Sequence, residues 1–420
     1  MVNFLGGIFY FCIALGVLVT IHELGHFIAA RACGVRVLRF SVGFGPVVFK
    51  KLGRNGCEYA LSAIPLGGYV KMEGENNPVQ GDKLMPDALA ALPPDSFKAK
   101  SVGKRALIIF AGPFFNIALA VILFTFVNMG GIVERFAVVG DVVPHSAADN
   151  SGFKVYDRIE YADGKEVRTW SDFIYTLVEN VGTNRNLAVV VKSDLGEGPS
   201  RTLNLPLSGF KLNRDEMPLD SLGLKMCFGK ITTTIGMVQD NSPASRAGLQ
   251  PHDKIVQING VDVDNWYRLQ EQILLSSENM ELVILREGQK YSALVTPVFK
   301  ERGKNGVKYP FIGIGASVEK LEGLSREVEY GPYDAFVKAI GDSLTMSKLV
   351  VVSAYKLVTG RISADNISGP ISIARGAQES AHFGLSIFIS FLAAISVNLG
   401  ILNLIPIPVL DGGQLVFLAY

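Results

Sequence analysis

Three long stretches of this chain contain no charged residue: residues 2–21, 106–133 and 383–410. A helix rises about 1.5 Å per residue, so roughly 20 apolar residues cross the ~30 Å hydrocarbon core of a bilayer. Each run is long enough. In lipid every backbone N–H and C=O must find its partner within the protein, which makes lipid-exposed runs of this length helices. The chain is therefore expected to be a multi-pass α-helical membrane protein. The first run does not read as a cleaved signal, because it lacks a positive n-region and an A-x-A-like site. The final residues, Leu415-Val416-Phe417-Leu418-Ala419-Tyr420, read as the start of a fourth span.

Charge sets the orientation. Residues 31–105 carry 12 Lys/Arg against 6 Asp/Glu, with Arg31, Arg36, Arg39, Lys50 and Lys51 near one end and Lys98, Lys100, Lys104 and Arg105 at the other. The positive-inside rule puts this loop in the cytoplasm and residues 134–382 on the opposite face. With 19% charged residues and a net charge of +1, the chain has no electrostatic footprint for nucleic acid. Its four cysteines, Cys12, Cys33, Cys57 and Cys227, are scattered and form neither a zinc ribbon nor a disulfide framework.

The region between the second and third runs repeats at an offset of 96 residues. Ser146-Ala147-Ala148-Asp149-Asn150-Ser151-Gly152-Phe153 with Asp157-Arg158-Ile159 and Asp163-Gly164 matches Ser242-Pro243-Ala244-Ser245-Arg246-Ala247-Gly248-Leu249 with Asp253-Lys254-Ile255 and Asn259-Gly260. The spacing predicts a short helix ended by glycine, a strand, and a hairpin turn into a second strand. The pattern resembles the PDZ domain in its bacterial, circularly permuted form. The resemblance implies two tandem PDZ (α+β) domains inserted between the second and third transmembrane helices. Such domains take extended peptides on a sheet edge, so the pair reads either as a peptide-binding gate or as a spacer without a ligand. Phe336, Ile340, Leu344, Leu349 and Val352 stand at helical spacings within residues 332–360. They predict an amphipathic helix, lying on the membrane or packed on the domain pair.

The chemistry starts at His22-Glu23-Leu24-Gly25-His26. Histidines at i and i+4 point the same way from a helix, and two neutral imidazoles there can bind one Zn²⁺. Glu23 beside them suits a general base, and zinc lowers the pKa of water to about 7. Charged and imidazole groups at membrane depth are costly and mark function. A catalytic zinc needs a third protein ligand. His145 and His252 fall in the repeats, and His382 lies on the far face. Asp411 is the only charge in residues 383–420. It follows Asn403-Leu404-Ile405-Pro406-Ile407-Pro408-Val409-Leu410 and precedes Gly412-Gly413, where broken helix can line a cavity. The first and third runs both travel inward, so His26 and Asp411 reach similar depth.

H-E-L-G-H in the first span, N-x-x-P-x-P-x-L-D-G-G in the third and the repeats between them resemble the site-2 protease family of intramembrane zinc metalloproteases. The resemblance extends to Pro65-Leu66-Gly67-Gly68-Tyr69-Val70-Lys71-Met72 and Ala111-Gly112-Pro113-Phe114-Phe115-Asn116. It implies His22, His26 and Asp411 as zinc ligands, Glu23 as the catalytic residue and Asn403 as a contact to the substrate backbone. It also implies a membrane-associated β-like region in the first loop, where Gly43, Phe44 and Gly45 either hold a substrate extended or form an ordinary turn. The expected organisation is 1–30, first span; 31–105, cytoplasmic loop; 106–130, second span; 131–222 and 223–318, the two PDZ domains; 319–382, linker with the amphipathic helix; 383–414, third span; 415–420, start of the fourth. The implied function is cleavage of single-span membrane substrates after a first external cut, with the PDZ pair as a size filter. For bacterial members those substrates are an anti-sigma factor and remnant signal peptides, in the inner membrane, with the repeats in the periplasm. The competing reading is a membrane-anchored PDZ scaffold with a vestigial metal site.

Overall fold

The structure, a computed structural model, describes residues 4–75, 92–208, 210, 218–276, 278–302, 307–363 and 369–419. Residues 76–91 of the expected cytoplasmic loop and Tyr420 of the expected fourth span lie outside these. The chain begins with α1 (Phe4–Ala32), β1 (Val37–Leu52), β2 (Glu58–Met72) and α2 (Val102–Met129). It continues through β3 (Ile132–Arg135), β4 (Val139–Val142), α3 (Ala147–Asn150), β5 (Arg158–Ala162), β6 (Lys165–Glu166), α4 (Trp170–Asn180), β7 (Asn186–Lys192), β8 (Ser200–Pro206) and β9 (Leu224–Met226). A second series is β10 (Lys230–Val238), α5 (Pro243–Arg246), β11 (Lys254–Ile258), β12 (Val261–Asp262), α6 (Trp266–Leu275), β13 (Met280–Arg286) and β14 (Gln289–Val295). Then come β15 (Val298–Arg302), β16 (Val307–Phe311), β17 (Ile314–Glu319), β18 (Ser325–Val328), α7 (Pro332–Val358), α8 (Pro370–Phe383), α9 (Leu385–Asn403) and α10 (Asp411–Ala419). Two compact units result: Met1–Ile132 with Glu327–Gly360 and Ile367–Tyr420, and Val133–Arg326 with Arg361–Asn366.

In the first unit, Gly6–Ala32, Val102–Met129 and Leu385–Asn403 are long and apolar enough to cross a membrane. α1 buries Ala14, Leu18, His22, Gly25 and His26, spaced three or four apart as one stripe of a helix, while Ile8, Phe9, Ile13 and Val17 stand exposed. Small residues set the helix crossings. A Cβ on Gly25 would lie 2.4 Å from the Ala111 carbonyl oxygen, and one on Gly400 would lie 2.9 Å from that of Pro113. α1 and α9 therefore each meet α2 backbone to backbone, the close approach that small residues permit in membranes. The third apolar run is not one helix. Pro406 and Pro408 lack the N–H that would continue α9; it ends at Asn403, and a new helix starts at Asp411.

β1 and β2 curl into a small sheet. Residues 37–42 pair with 68–72 on one side, 39–42 pair with 58–61 on the other, and 47–52 pair with 58–62. Gly43 and Gly45 make the bend in β1 at φ +88° and +83°, a region that side chains with a Cβ avoid. Val48, Phe49, Leu52 and Leu61 lie exposed on this sheet.

The second unit holds two modules with the same order of elements. α3 and α5 are capped by Ser146 and Ser242, whose hydroxyls accept from the Asp149 and Ser245 amides at 3.2 Å. Each ends near a left-handed glycine, Gly152 and Gly248. Asp163-Gly164 and Asn259-Gly260 have positive φ at both residues, the type I′ hairpin turn the sequence predicts. The first core gathers Ile159, Phe173, Leu177, Val189 and Leu205; the second gathers Ile255, Leu269, Leu282, Ile284 and Val295.

Candidate metal centre

His22 and His26 sit on the buried stripe of α1, 7% and 9% exposed, with their rings edge to face. The neighbouring turn of α2 has no side chain to obstruct them: a Cβ on Gly112 would lie 2.3 Å from His26 Nε2 and 2.9 Å from His22 Cε1. His26 Nδ1–H donates to the Ile108 carbonyl at 2.8 Å, which leaves Nε2 with its lone pair. His22 Nδ1 faces the Asn116 carboxamide at 3.1 Å.

Asp411 arrives from the other end of the chain. It is the first residue of α10, where the helix dipole favours a carboxylate. The turn that delivers it is tight. A Cβ on Gly412 would lie 2.3 Å from the Leu404 carbonyl oxygen, and one on Gly413 would lie 2.1 Å from that of Ile407. The two glycines after Asp411 are thus a steric requirement of the fold-back.

The three donors converge. His22 Nε2 and His26 Nε2 are 3.1 Å apart, and Asp411 Oδ2 lies 3.1 Å and 3.6 Å from them. Tetrahedral zinc donors at about 2.0–2.2 Å stand roughly 3.3 Å from one another. Asp411 Oδ2 is also buried without a properly directed hydrogen bond. Two imidazole nitrogens and a carboxylate oxygen crowded into one pocket fit a divalent cation. No second cluster of three His, Cys, Asp or Glu ligands with this proximity occurs among the described residues.

Glu23 turns from α1 toward the curled sheet. Its carboxylate lies beside the Val70 amide, and a Cβ on Gly68 would lie 3.4 Å from its Cγ. The sheet therefore holds Glu23 beside the donors without adding a competing ligand. Asn403 ends α9, half-buried, and no hydrogen bond joins it to the three donors among the described residues. Phe44 lies exposed between Gly43 and Gly45, its ring stacked on Tyr69 at 6.3 Å. Sequence reading named neither Gly112 nor Asn116 as a site residue. The available signal was an asparagine inside a charge-free span.

The sequence profile of Peptidase family M50 matches residues 10–420. The chain belongs to that family, the site-2 proteases. Relatives agree along the whole length. The regulator of sigma-E protease RseP of Salmonella typhimurium strain 14028s is 38% identical over 424 residues, covering 100% of this chain and 91% of the relative. The protein of the same name from Escherichia coli K12 is 38% identical over 425 residues with the same coverage. The regulator of sigma E protease of Haemophilus influenzae is 37% identical over 418 residues, 99% of this chain and 90% of the relative. One solved structure, a PDZ domain of an SdrC-like protein from Listeria monocytogenes, covers 22% of this chain and 92% of its own, at 19% identity and a TM-score of 0.17, too slight a likeness to assign a fold. This M50 peptidase is a membrane metalloprotease.

Proposed function

We propose that this M50 peptidase is an intramembrane zinc endopeptidase in which His22, His26 and Asp411 hold the metal and Glu23 is the catalytic base. The observation that carries this reading is the convergence of the three donor atoms within 4.8 Å, from helices at opposite ends of the chain. Zinc, when bound, supplies a Lewis acid that polarises the scissile carbonyl and activates water. Glu23 takes the proton from the attacking water and returns it to the leaving amine nitrogen. The packed faces of α1, α2 and α9 keep bulk water away, which strengthens every charge interaction inside.

The substrates are single-span proteins already cut on the outside. An α-helix hides its amides in its own hydrogen bonds, so the cleaved segment must unwind first. In this reading Asn403, through its amide, and the Gly43-Phe44-Gly45 bend, through its exposed Phe44 and Gly45, receive that extended stretch. The exposed Val48, Phe49, Leu52 and Leu61 suit the curled sheet to a membrane-contacting role. The paired modules are tandem PDZ domains on the periplasmic side, acting as a size filter and open to peptide ligands. The charge of residues 31–105 supports an inner-membrane orientation with the metal centre toward the cytoplasm. The substrates in this reading are an anti-sigma factor and remnant signal peptides, in keeping with relatives named as regulators of sigma E.

The test is Glu23→Gln in the full chain, reconstituted in liposomes with a single-span substrate of short ectodomain. Loss of a general base costs about 10²–10⁴-fold in rate. Cleavage at the wild-type rate removes the assignment.

A further inference from the structure

Zinc-binding imidazoles need their second nitrogen to donate, because that hydrogen bond fixes the tautomer that leaves a lone pair for the metal. His26 has such a partner in the Ile108 carbonyl. For His22 the one hydrogen-bonding group against Nδ1 among the described residues is the carboxamide of Asn116, 3.1 Å away and fully buried. The orientation of that carboxamide decides what His22 can do. With the amide nitrogen donating to Nδ1, the ring proton is left on Nε2, which then cannot bind a metal. With the oxygen turned to Nδ1, the imidazole donates there and Nε2 is free.

We propose that Asn116 is the positioning residue of His22, its carboxamide oxygen accepting from Nδ1–H and so holding the unprotonated Nε2 toward His26 and Asp411. The side chain is free to serve in this way. Its Oδ1 is buried without a donor, so a half-turn of the amide about its last torsion breaks no other hydrogen bond. Oxygen and nitrogen of a carboxamide are distinguished only by such partners. The backbone beneath it is fixed from the third span: Ser396 Oγ donates to the Asn116 carbonyl at 2.7 Å, with both residues fully buried. A Cβ on Gly400 would lie 3.3 Å from the Asn116 Cβ, so α9 presses on the same turn. Asn116 thereby couples the packing of α9 on α2 to the tautomer of a ligand on α1. This inference rests on the metal site proposed above.

The experiment measures zinc affinity by chelator competition on the full chain in detergent, for wild type, Asn116→Leu and Asn116→Asp. Leucine keeps the volume and removes the acceptor; aspartate offers an acceptor in either orientation. The expected result is a loss of about 10–100-fold in zinc affinity for Asn116→Leu. Affinity for Asn116→Asp should equal or exceed that of wild type. Cobalt substitution adds a second readout, with tetrahedral visible bands kept in wild type and Asn116→Asp and distorted or absent in Asn116→Leu. Thermal unfolding of the three metal-free forms separates ligand positioning from folding. Equal midpoints with unequal affinities support the inference. Wild-type affinity in Asn116→Leu overturns it, as does an equal loss in Asn116→Asp. If wild type itself takes up no zinc, the metal site fails and not merely the role of Asn116.

Discussion

At the scale of the residue, the proposed metal site depends as much on atoms that are absent as on its donors. Gly112 is the clearest case, since a Cβ there would occupy the space of the His26 ring. Gly112→Ala should displace the imidazoles, at a cost of about 1–3 kcal/mol in overpacking, and deplete bound zinc in purified protein. Gly103, on the same helix, has nothing within 4 Å of a Cβ, so Gly103→Ala should retain full metal. Metal analysis of the two variants checks the contrast; equal zinc contents would show that the cradle is not steric. The legibility of these residues differs for a physical reason. Histidine, glutamate and aspartate inside apolar runs are conspicuous because charge and imidazole are costly there. Gly112 lies within the stretch of residues 111–116 that carries the family resemblance, but its steric role is not readable there, since a glycine in a membrane helix has many uses. Asn116 was visible as polar, but its contact with His22 spans 94 positions and belongs to the helix crossing.

At the scale of the element, the two modules keep a shared lock built from different strands. Asp157 and Asp253 are 0% and 1% exposed. Asp157 is held by Arg201 of β8 at 2.5 and 2.6 Å, whereas Asp253 is held by Arg286 of β13 at 2.6 and 2.7 Å. Each arginine also donates to the glycine that ends the preceding short helix, Gly152 or Gly248. The aspartates were legible as part of the repeat; the arginines were not, because they occupy non-equivalent positions. Removing one partner of a buried pair leaves an uncompensated charge, so Asp253→Ala should destabilise the second module by about 3–5 kcal/mol in urea unfolding followed by Trp266 fluorescence. Burial pushes the Asp253 carboxyl up, but Arg286 and the Gln250 amide outweigh it, and the group titrates below the ordinary range. A depressed carboxylate contributes its stability above its unfolded value, about 3.9, and loses it as pH falls through the folded value. Wild type should therefore weaken below about pH 4, with a flatter profile in Asp253→Asn; parallel profiles would contradict the linkage.

The same scale shows where periodicity reads well and where it does not. The helix predicted over residues 332–360 stands at Pro332–Val358, and both predicted hairpin turns are present. The break after Asn403 was signalled by two prolines, though the start of α10 at Asp411 was not. The curled sheet of β1 and β2 was legible only through its glycines. Its apolar residues do not alternate cleanly, because Val48, Phe49 and Leu52 are exposed where a soluble sheet would be polar.

At the scale of the whole molecule, three apolar helices and the basic loop of residues 31–105 were readable directly, since hydrocarbon thickness and charge bias act on composition. Bringing the first and last helices to one site required their direction of travel as well as the local motifs. If the repeats act as a size filter, cleavage by the full chain should fall as the substrate ectodomain lengthens. Replacing residues 133–326 with a flexible linker should abolish that dependence while leaving short substrates cleaved. A length dependence that survives the replacement would assign the discrimination elsewhere.

The most direct test of the site is anomalous diffraction at the zinc edge from crystals of the full chain. The expected map holds a single peak about 2.0–2.2 Å from His22 Nε2, His26 Nε2 and Asp411 Oδ2. A zinc-loaded, active preparation with its peak elsewhere, or with Asp411 outside the coordination sphere, would contradict it.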